Sequence, residues 1–202
     1  KWGIIGPGNI ANNFADGLTS SYSGQLVGIA SKNDDRRISF GDKYNVHEDF
    51  RYESYDDIIN SEHIDAIYIS TPHTLHAEWT IKAAGRGKHV LCEKPVALNL
   101  EELSQLENAA IESEAFFYEA FMVRSHPQWQ WLQNLDIGKY QSSHFIFSYP
   151  KQPEGNVRNL IKYGGGPLFD IGCYAILSGC MLFKGEPEVL SAVATMCDQY
   201  ET

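Results

Sequence analysis

The chain has 202 residues, of which 43% are hydrophobic and 21% are charged, a composition typical of a globular protein with a substantial core. Its 16 basic and 26 acidic side chains give a net charge of −10 that is spread along the chain, which argues against a nucleic-acid-binding protein because phosphate recognition needs a basic face. We predict no membrane span, since no apolar run approaches the roughly 18 residues that one requires.

Apolar runs separated by helical patterns organise the first part of the chain. The predicted strands are Trp2–Gly6, Gly24–Ser31, His63–Thr71, "HVLCEKP" from His89 and "FFYEAFM" from Phe116. The predicted helices carry Ile10, Phe14 and Leu18 on one face, begin near Asp34, Ser54 and Asn99, and end near Gly85 and Gly87 in a left-handed cap. Strands that are apolar throughout and alternate with helices indicate a parallel sheet covered on both faces, an α/β fold.

The pattern changes after about Phe121. "HPQWQWLQNL" predicts an aromatic-rich helix, whereas "SSHFIFSYP" (Ser142–Pro150) alternates like an antiparallel strand. The cluster "GGGPLFDIGCY" precedes another helix, and "EVLSAVATMCD" predicts a further strand. We therefore expect two domains, residues 1–121 and residues 122–202. The second is expected to be α+β with an incomplete sheet. Because the chain opens without Met and stops abruptly, we expect it to be a fragment of a longer protein.

The cysteines and the metal-ligating residue types show no functional clustering in the sequence. Cys92, Cys173, Cys180 and Cys197 stand without C-x-x-C pairing, which predicts reduced thiols in a cytoplasmic protein. No ligand spacing typical of a metal site occurs, so we expect no metal.

The segment "GIIGPGNIA" ends an apolar strand in the pattern Gly6-x-Gly8, with the small residue Ala11 three positions further on. Such glycines also serve ordinary turns, but their position between a strand and a helix favours a phosphate cradle. Gly6 permits the turn, and Gly8 lets the backbone approach a pyrophosphate. The free amides of the helix N-terminus, around Asn9 and Ile10, would bind the anion. The segment predicts a dinucleotide-binding domain.

The end of the second strand predicts which dinucleotide binds. An NAD-selective site carries an acid there to hold the ribose 2′-hydroxyl. This chain has Ser31 and Lys32 instead, with Arg36 one helical turn further on, and a hydroxyl with two cations suits a 2′-phosphate. Asp34 and Asp35 are expected to start the next helix, where anions are favoured. We predict NADP as the cofactor, with NAD and a merely solvated basic loop as the alternatives.

A Glu-Lys pair, Glu93 and Lys94, ends the fourth strand at the edge of the sheet where such folds bind ligands. With it, the segments "GIIGPGNIA", "ASKNDDR", "IDAIYISTPHTLH", "KHVLCEKPVALN", "EAFMVRSHP" and "GGGPLFDIGCY" occur in the order and spacing of the Gfo/Idh/MocA oxidoreductase family. The chain resembles that family over essentially all of its length. Its "EAFMVRSHP" and "DIGCY" segments resemble the dihydrodiol dehydrogenase and D-xylose dehydrogenase branch.

The resemblance implies an N-terminal Rossmann domain followed by an α+β domain with an open, mostly antiparallel sheet, truncated here. It also implies an NAD(P)-dependent transfer of hydride to or from a CH–OH group of a sugar or cyclic diol. It implies catalytic roles for Lys94 and Tyr174, with Asp170 orienting the substrate hydroxyl. Lys94 would lower the pKa of the Tyr174 hydroxyl, which would carry the proton, although the two roles could be exchanged. The alternatives are a core tyrosine at position 174 and a helix-capping aspartate at position 170.

The remaining candidate residues follow from the same segments. The predicted cofactor-binding residues are Gly6, Gly8, Asn9, Ile10, Ser31, Lys32, Arg36, Thr71, Pro72, His73, His76, Glu93 and Lys94. Arg124 and His126 are predicted to contact the substrate. The alternative interpretation of "MVRSHPQW" is the start of a helix with a buried histidine.

The expected assembly is a homodimer or larger, built through the open sheet of the second domain, with a small carbohydrate or diol as the substrate. Two other functions would fit the same segments: a glycosidase that uses tightly bound NAD transiently, and a regulatory protein that binds NADP without turnover.

Overall fold

The computed structural model describes residues 1–136, 138–150, 152–183 and 187–194. The chain divides into two compact units, Lys1–Ala120 and Phe121–Thr202. The first unit contains a parallel sheet with helices, and the described part of the second contains helices and extended segments.

The first unit is built on a six-stranded sheet in which every described pairing is parallel. Its strands are β1 (Trp2–Ile5), β2 (Leu26–Ala30), β3 (Arg51–Tyr52), β4 (Ala66–Ile69), β5 (His89–Cys92) and β6 (Phe117–Glu119). Their order across the sheet is β3-β2-β1-β4-β5-β6. The order in which successive strands are added to the sheet therefore reverses between β1 and β4. Such sheets bind ligands at this point, beyond the carboxyl ends of their strands.

Helices follow the strands and cover the sheet. They are α1 (Asn9–Thr19), α2 (Asp34–Lys43), α3 (Tyr55–Asn60), α4 (His76–Ala84) and α5 (Leu100–Ser113). Three of the predicted starts are confirmed by side-chain caps: the side chains of Asn33, Ser54 and Asn99 accept backbone N–H groups of the first turns of α2, α3 and α5.

Two apolar clusters form the core, one on each face of the sheet. Ile5 in β1 belongs to the cluster under α3, α4 and α5, whereas its neighbour Ile4 belongs to the cluster under α1 and α2. Successive strand residues point to opposite faces, so burial of both explains why the strands are apolar throughout. In α1 the residues that pack most deeply are Ala11 and Ala15, whose small side chains let the helix approach the sheet.

One strand of the first unit was not predicted, and the left-handed end predicted for α4 near Gly85 and Gly87 is confirmed at Gly87 alone. The strand β3 was missed because its two residues are polar or aromatic and form no apolar run; it exists by pairing with the end of β2. The left-handed residue after α4 is Gly87, with φ of +70°, and not Gly85, whose φ of −62° is helical. The helix ends first, and the chain turns two residues later.

The described part of the second unit contains two α-helices, α6 (Pro127–Gln133) and α7 (Cys173–Leu182). The predicted aromatic-rich helix is thus confirmed as α6. A π-helical turn, Leu168–Gly172, leads directly into α7. Pro167 precedes this turn, and the left-handed Gly164 (φ +73°) and Gly166 (φ +112°) supply the chain reversal before it.

The two predicted antiparallel strands are not observed in the described residues. Ser142–Pro150 has no regular secondary structure, and residues 188–194 likewise form no strand, while the rest of that prediction lies outside the described residues. A strand exists only through ladder hydrogen bonds with a neighbour, and alternation in sequence cannot supply the neighbour. The alternation itself is visible in the contacts, since Phe147 contacts Tyr174 and Tyr149 contacts Asp170, whereas Ile146, directly before Phe147, is 88% exposed.

The sequence contains no continuous apolar run of membrane-spanning length, but one segment of mixed composition passes a test by length and average composition alone. Among the described residues, the segment Ile161–Leu182 has the length and composition of a span, with 22 residues and a hydropathy of 1.3. In the structure this segment combines a 3-10 turn (Ile161–Tyr163), the glycine cluster, the π-helical turn and α7.

Candidate active site

The carboxyl ends of four adjacent strands bring together most of the predicted residues of the first unit. Gly6 follows β1, Ser31 follows β2, Thr71 comes shortly after β4, and Glu93 follows β5. The neighbours in the sheet are β2-β1-β4-β5, so these residues lie along one edge in that order. Lys94 is next to Glu93 at this edge, half-buried, and forms a cis peptide bond with Pro95.

Gly6 and Gly8 meet different physical demands. Gly6 has φ of +84°, and a Cβ placed there would lie 3.0 Å from the carbonyl oxygen of Ser70, so both backbone and space call for glycine. Gly8 has ordinary backbone angles, and a Cβ there would meet only the Gly6 carbonyl oxygen at 3.9 Å. Packing in the protein therefore does not explain Gly8, whereas a ligand that approaches its backbone would.

The N-terminus of α1 is open to an anion. Gly8 is its cap residue, no side chain caps the first turn, and that turn carries no acidic residue. Asn9 is exposed and Ile10 is half-buried at this end of the helix. Amides that lack a side-chain cap, together with the positive end of the helix dipole, suit a phosphate.

Asn12 holds the Gly8 carbonyl in place. Its side-chain nitrogen donates to Gly8 O across 3.0 Å, and its Oδ1 accepts from Lys43 Nζ at 2.7 Å and from the Tyr44 hydroxyl at 3.0 Å. The end of α2 is thereby joined to the glycine turn. Sequence reasoning missed this link because the residues lie about thirty positions apart in the chain.

Ser31 at the end of β2 is buried, with 5% of its surface exposed. Its Oγ accepts the Asn33 N–H, and its carbonyl oxygen accepts from Arg37 Nη1 across 2.7 Å. Lys32 and Arg36 are exposed, as cations that meet a phosphate in solvent would be. Arg37 was not predicted; its side chain is only 15% exposed and also pairs with Asp34 at 2.9 Å.

The loop after β4 carries a buried hydroxyl group, that of Thr71. Thr71 is 8% exposed, and its Oγ1 is buried without a hydrogen-bond partner in the described part of the chain. Pro72 and His73 are half-buried on the same loop. An orphaned hydroxyl at a ligand-binding edge is explained by a partner that binds there.

His76 was predicted to contact the cofactor, and the structure assigns it a different contact. The side chain is fully buried, with one ring nitrogen 2.7 Å from the Pro95 carbonyl oxygen and the other 2.8 Å from that of Thr71. Burial lowers the pKa of His76 to about 4, while the two carbonyls act in the opposite direction. The neutral ring has one N–H and donates to one of the two carbonyls at a time, but both nitrogens face backbone oxygens, so His76 lies between the loops after β4 and β5.

The carboxylate of Glu93 forms a hydrogen bond with Tyr68. The Tyr68 hydroxyl donates to Glu93 Oε1 across 2.6 Å. Burial raises the pKa of Glu93 above its ordinary value, and the hydroxyl and the neighbouring Lys94 charge act in the opposite direction. Glu119, at the end of β6, accepts the Val96 N–H at 2.9 Å and thereby supports the loop that carries Lys94.

The other predicted catalytic residues lie in the second unit. Asp170 is 4% exposed and sits within the π-helical turn, so it is not the helix cap that the alternative interpretation required. Its Oδ2 accepts from the Tyr149 hydroxyl at 2.8 Å and pairs with Arg158 Nε at 3.0 Å. Burial, followed by the bond to Asp170, raises the pKa of Tyr149 to about 12.

Tyr174 lies in the first turn of α7 and is half-buried. Its ring meets Phe121 edge-on at 5.2 Å and Phe147 at 5.5 Å between centroids. These contacts fix the direction of the ring, because edge-to-face pairs have a preferred geometry.

The predicted substrate residues Arg124 and His126 are both exposed. His126 is the cap of α6 and accepts the Gln128 N–H at Nδ1, so the alternative of a helix start is confirmed but that of a buried histidine is wrong. Contact of either residue with a substrate stays a prediction.

The described residues fit a dinucleotide at the edge of the first unit. The open space at Gly8, the uncapped α1 and the orphaned Thr71 hydroxyl lie at the carboxyl ends of β1 and β4, where the strand order reverses. The described residues provide no group that fills the space at Gly8, caps α1 or accepts the Thr71 hydroxyl. One ligand with an anionic group and a further polar group would do all three.

Comparison with known proteins agrees with this site. Residues 1–121 match the model of an oxidoreductase family described by its NAD-binding Rossmann fold. A trans-1,2-dihydrobenzene-1,2-diol dehydrogenase of Xenopus tropicalis is 32% identical over 95% of this chain and 59% of the relative. A D-xylose 1-dehydrogenase (NADP(+)) of Haloferax volcanii is 31% identical over 96% of this chain and 60% of the relative.

A solved structure extends the likeness to the backbone. A 3-ketoreductase from Actinomadura kijaniata, in complex with NADP and TDP-benzene, has a TM-score of 0.80 and 32% identity, covering 90% of this chain and 56% of that one. The chain spans about three fifths of the length of the curated relatives it matches. The match over residues 1–121 and these relatives show that the chain belongs to the Gfo/Idh/MocA oxidoreductase family.

Proposed function

We propose that the protein is an NADP-dependent oxidoreductase that moves hydride between the nicotinamide and a CH–OH carbon of a sugar or cyclic diol. The observation that carries the proposal is the phosphate cradle: a glycine turn with open space at Gly8 and an uncapped helix beyond it. The names of the relatives, a trans-1,2-dihydrobenzene-1,2-diol dehydrogenase, a D-xylose 1-dehydrogenase and a 3-ketoreductase, support the substrate class.

The preference for NADP rests on the end of β2. Ser31 is buried with its oxygen at the strand end, and the exposed cations Lys32 and Arg36 are free to approach a 2′-phosphate. Asp34 and Asp35 lie in the first turn of α2, where Asp34 pairs with Arg37. No acid therefore occupies the place that selects a 2′-hydroxyl.

When bound, the nicotinamide accepts or gives the hydride, and the protein has to orient the substrate and move one proton. We propose that the Tyr174 hydroxyl carries that proton and that Lys94 lowers its pKa, since an ordinary phenol with a pKa of about 10 is a poor base near neutral pH. Asp170 holds the π-helical turn that precedes Tyr174 through Tyr149 and Arg158. A direct contact of Asp170 with the substrate hydroxyl stays a prediction.

The experiment that tests the function is a substrate panel with the whole protein. Sugars, cyclic diols and their keto forms are offered with NADP, NAD or their reduced forms, and the absorbance of the reduced cofactor is followed. We expect turnover of one class with NADP preferred in kcat/KM. Turnover with NAD alone would overturn the cofactor assignment, and tight NADP binding without turnover of any member would favour a regulatory protein.

The cofactor assignment has its own test in a charge reversal. Lys32→Asp places an acid where the 2′-hydroxyl of NAD would bind, so the preference should shift toward NAD. Arg86→Asp makes the same change of charge after α4, at the opposite end of the sheet, and should leave the preference unchanged. Equal shifts in both variants would point to net charge alone.

We further propose that the whole protein is a cytoplasmic homodimer or larger assembly. The three cysteines in the described residues, Cys92, Cys173 and Cys180, are free thiols, as in a reducing compartment. Apolar side chains of the second unit are exposed, among them Leu190 at 88% and Val189 at 81%, and such surfaces are ordinarily covered. Light scattering at micromolar concentration tests the assembly, and a monomer would contradict it.

A further inference from the structure

A ladder of cations and aromatic rings runs beside the end of β2. Lys32 Nζ lies 5.6 Å from the centroid of the Tyr55 ring, and Tyr55 meets Trp79 edge-on, with centroids 5.0 Å apart and planes at 88°. On the far side of Trp79, Lys82 Nζ lies 4.0 Å from its centroid. The four side chains come from the loop after β2, from α3 and from α4, so the ladder is a tertiary arrangement.

Contact with Trp79 fixes the orientation of the Tyr55 ring. Trp79 is 7% exposed and belongs to the core cluster under α3 to α5, and Tyr55 packs against that cluster. Edge-to-face contact with a buried ring sets the orientation of Tyr55. The face of Tyr55 is thereby presented to Lys32, which is exposed and has a flexible stem of its own.

Tyr55 also lies within reach of the second candidate cation. Burial raises the pKa of the Tyr55 hydroxyl, and the Arg36 charge acts in the opposite direction, which puts that guanidinium within electrostatic range of the phenol. Lys32 and Arg36 are the two cations assigned above to the 2′-phosphate. Tyr55 thus contacts Lys32 directly and lies within the electrostatic influence of Arg36.

We propose that Tyr55 is a specificity-determining positioning residue: its ring holds the Lys32 ammonium in place for the 2′-phosphate of NADP. The inference rests on the proposed NADP preference. It adds Tyr55, which contacts the Lys32 ammonium and not the phosphate, to the residues that determine this preference. A cation over a ring face is attracted by the ring quadrupole, so the contact restricts the lysine before the cofactor arrives. Restriction before binding raises affinity because less freedom is lost on association.

The test compares dissociation constants for NADP and for NAD, measured by calorimetry on the whole protein. The readout is the ratio of the two constants, because a merely structural change weakens both dinucleotides alike. Tyr55→Leu should reduce the preference for NADP about two- to fivefold, the range expected for an exposed cation–π contact. Tyr55→Phe keeps the ring and should retain the wild-type ratio. Lys82→Ala removes the other cation of the ladder and should also leave the ratio unchanged.

A double-mutant cycle shows whether Tyr55 acts through Lys32. Once Lys32→Ala has removed the ammonium, Tyr55→Leu should have no further effect on the ratio. An undiminished effect in that background would overturn the proposal, as would equal losses in Tyr55→Phe and Tyr55→Leu, which would assign the effect to the hydroxyl. A wild-type protein that prefers NAD overturns the proposed function and this inference together, whereas a preference for NADP that Tyr55→Leu leaves intact overturns the inference alone.

Discussion

The hydroxyl of Tyr68 in β4 donates to Oε1 of Glu93, the residue after β5, across 2.6 Å. The bond ties two neighbouring strand ends together directly before Lys94. Because burial already raises the pKa of Glu93, loss of the donor should raise it further.

Tyr68→Phe should therefore destabilise the protein more at pH 7 than at pH 4. A carboxyl group whose folded pKa lies above its ordinary value of 4.5 binds more protons in the folded state, so stability falls as pH rises through that interval. Removing the Tyr68 hydroxyl widens the difference between the folded and the ordinary pKa of Glu93 and takes a hydrogen-bond donor from its carboxylate. We expect the free energy of unfolding to fall by about 1–3 kcal/mol near neutral pH. Urea unfolding at both pH values measures it, and an equal loss at pH 4 and pH 7 would contradict it.

His76 should produce a dependence of the opposite sign. Its folded pKa of about 4 lies below its ordinary value of 6.5, so the unfolded state binds more protons between these values and stability falls on acidification. At about 1.4 kcal/mol for each pKa unit, the interval corresponds to a loss of about 3 kcal/mol. Unfolding followed from pH 7 to pH 4.5 should show it in the wild type.

The matched variants separate His76 from the other histidines. His76→Gln should flatten the pH dependence and also lower stability at pH 7, because the amide does not reproduce the fit of the buried ring between the carbonyls of Thr71 and Pro95. His47→Gln, at an exposed position, should leave the pH dependence unchanged. Identical pH profiles for the wild type and His76→Gln would show that His76 titrates normally.

Gly6 and Gly8 should respond differently to alanine. Gly6→Ala forces a Cβ to 3.0 Å from Ser70 O at a φ of +84°, so stability should fall by about 1–3 kcal/mol. Gly8→Ala meets no close contact within the protein, so stability should change by less than about 0.5 kcal/mol while cofactor affinity falls at least tenfold. Thermal unfolding without cofactor and calorimetry with NADP check the pair. Undiminished binding by Gly8→Ala would refute the cradle.

Tyr174→Phe should lower kcat by about 10²–10⁴-fold, the usual contribution of a positioned acid or base, and leave the affinity for NADP largely intact. Lys94→Ala should lower it at least as much. Near-full activity of Tyr174→Phe beside an inactive Lys94→Ala would assign the proton to the lysine. Activity in both variants would refute the catalytic assignment. The conservative Phe keeps the contacts of the ring with Phe121 and Phe147, so a large loss is not a packing effect.

Arg158→Ala should destabilise the second unit, because Asp170 is buried and loses the cation that pairs with it. Arg158 is half-exposed, so solvent screens part of the pair, and we expect about 1–2 kcal/mol rather than the larger loss typical of a fully buried pair. Arg124→Ala, at an exposed position of the same unit, is the control. Unfolding of the whole protein, with near-ultraviolet dichroism as the probe of aromatic packing, measures both.

Much of the first unit could be predicted because its signals are local. Apolar runs and glycines define β1, the turn and α1 within a single short segment, and Ser54 and Asn99 carry their own capping chemistry. What the sequence could not show depends on tertiary contacts. The buried clamp of His76 requires the loops after β4 and β5 to meet, and the contact of Arg37 with the Ser31 carbonyl requires the turn of α2.

The second unit shows the same division between local and distant information. Within Ser142–Pro150 the alternate residues Phe147 and Tyr149 contact Tyr174 and Asp170, but the antiparallel strand that the alternation predicts is not observed. It cannot predict a ladder, because ladder bonds depend on a partner segment. Helix α6, whose hydrogen bonds are internal, was predicted without such a partner.

The central position of β1 has a consequence for the order of folding. Residues 2–5 pair with β2 on one side and with residues 66–69 of β4 on the other, so the middle ladder closes a loop of more than sixty residues. Such a long-range pairing forms slowly compared with the local helices. The cradle at Gly6 lies between these two ladders and is complete only when the distant one has closed. Recovery of cofactor binding during refolding should therefore trail the recovery of helical dichroism and report the moment at which β4 joins the sheet.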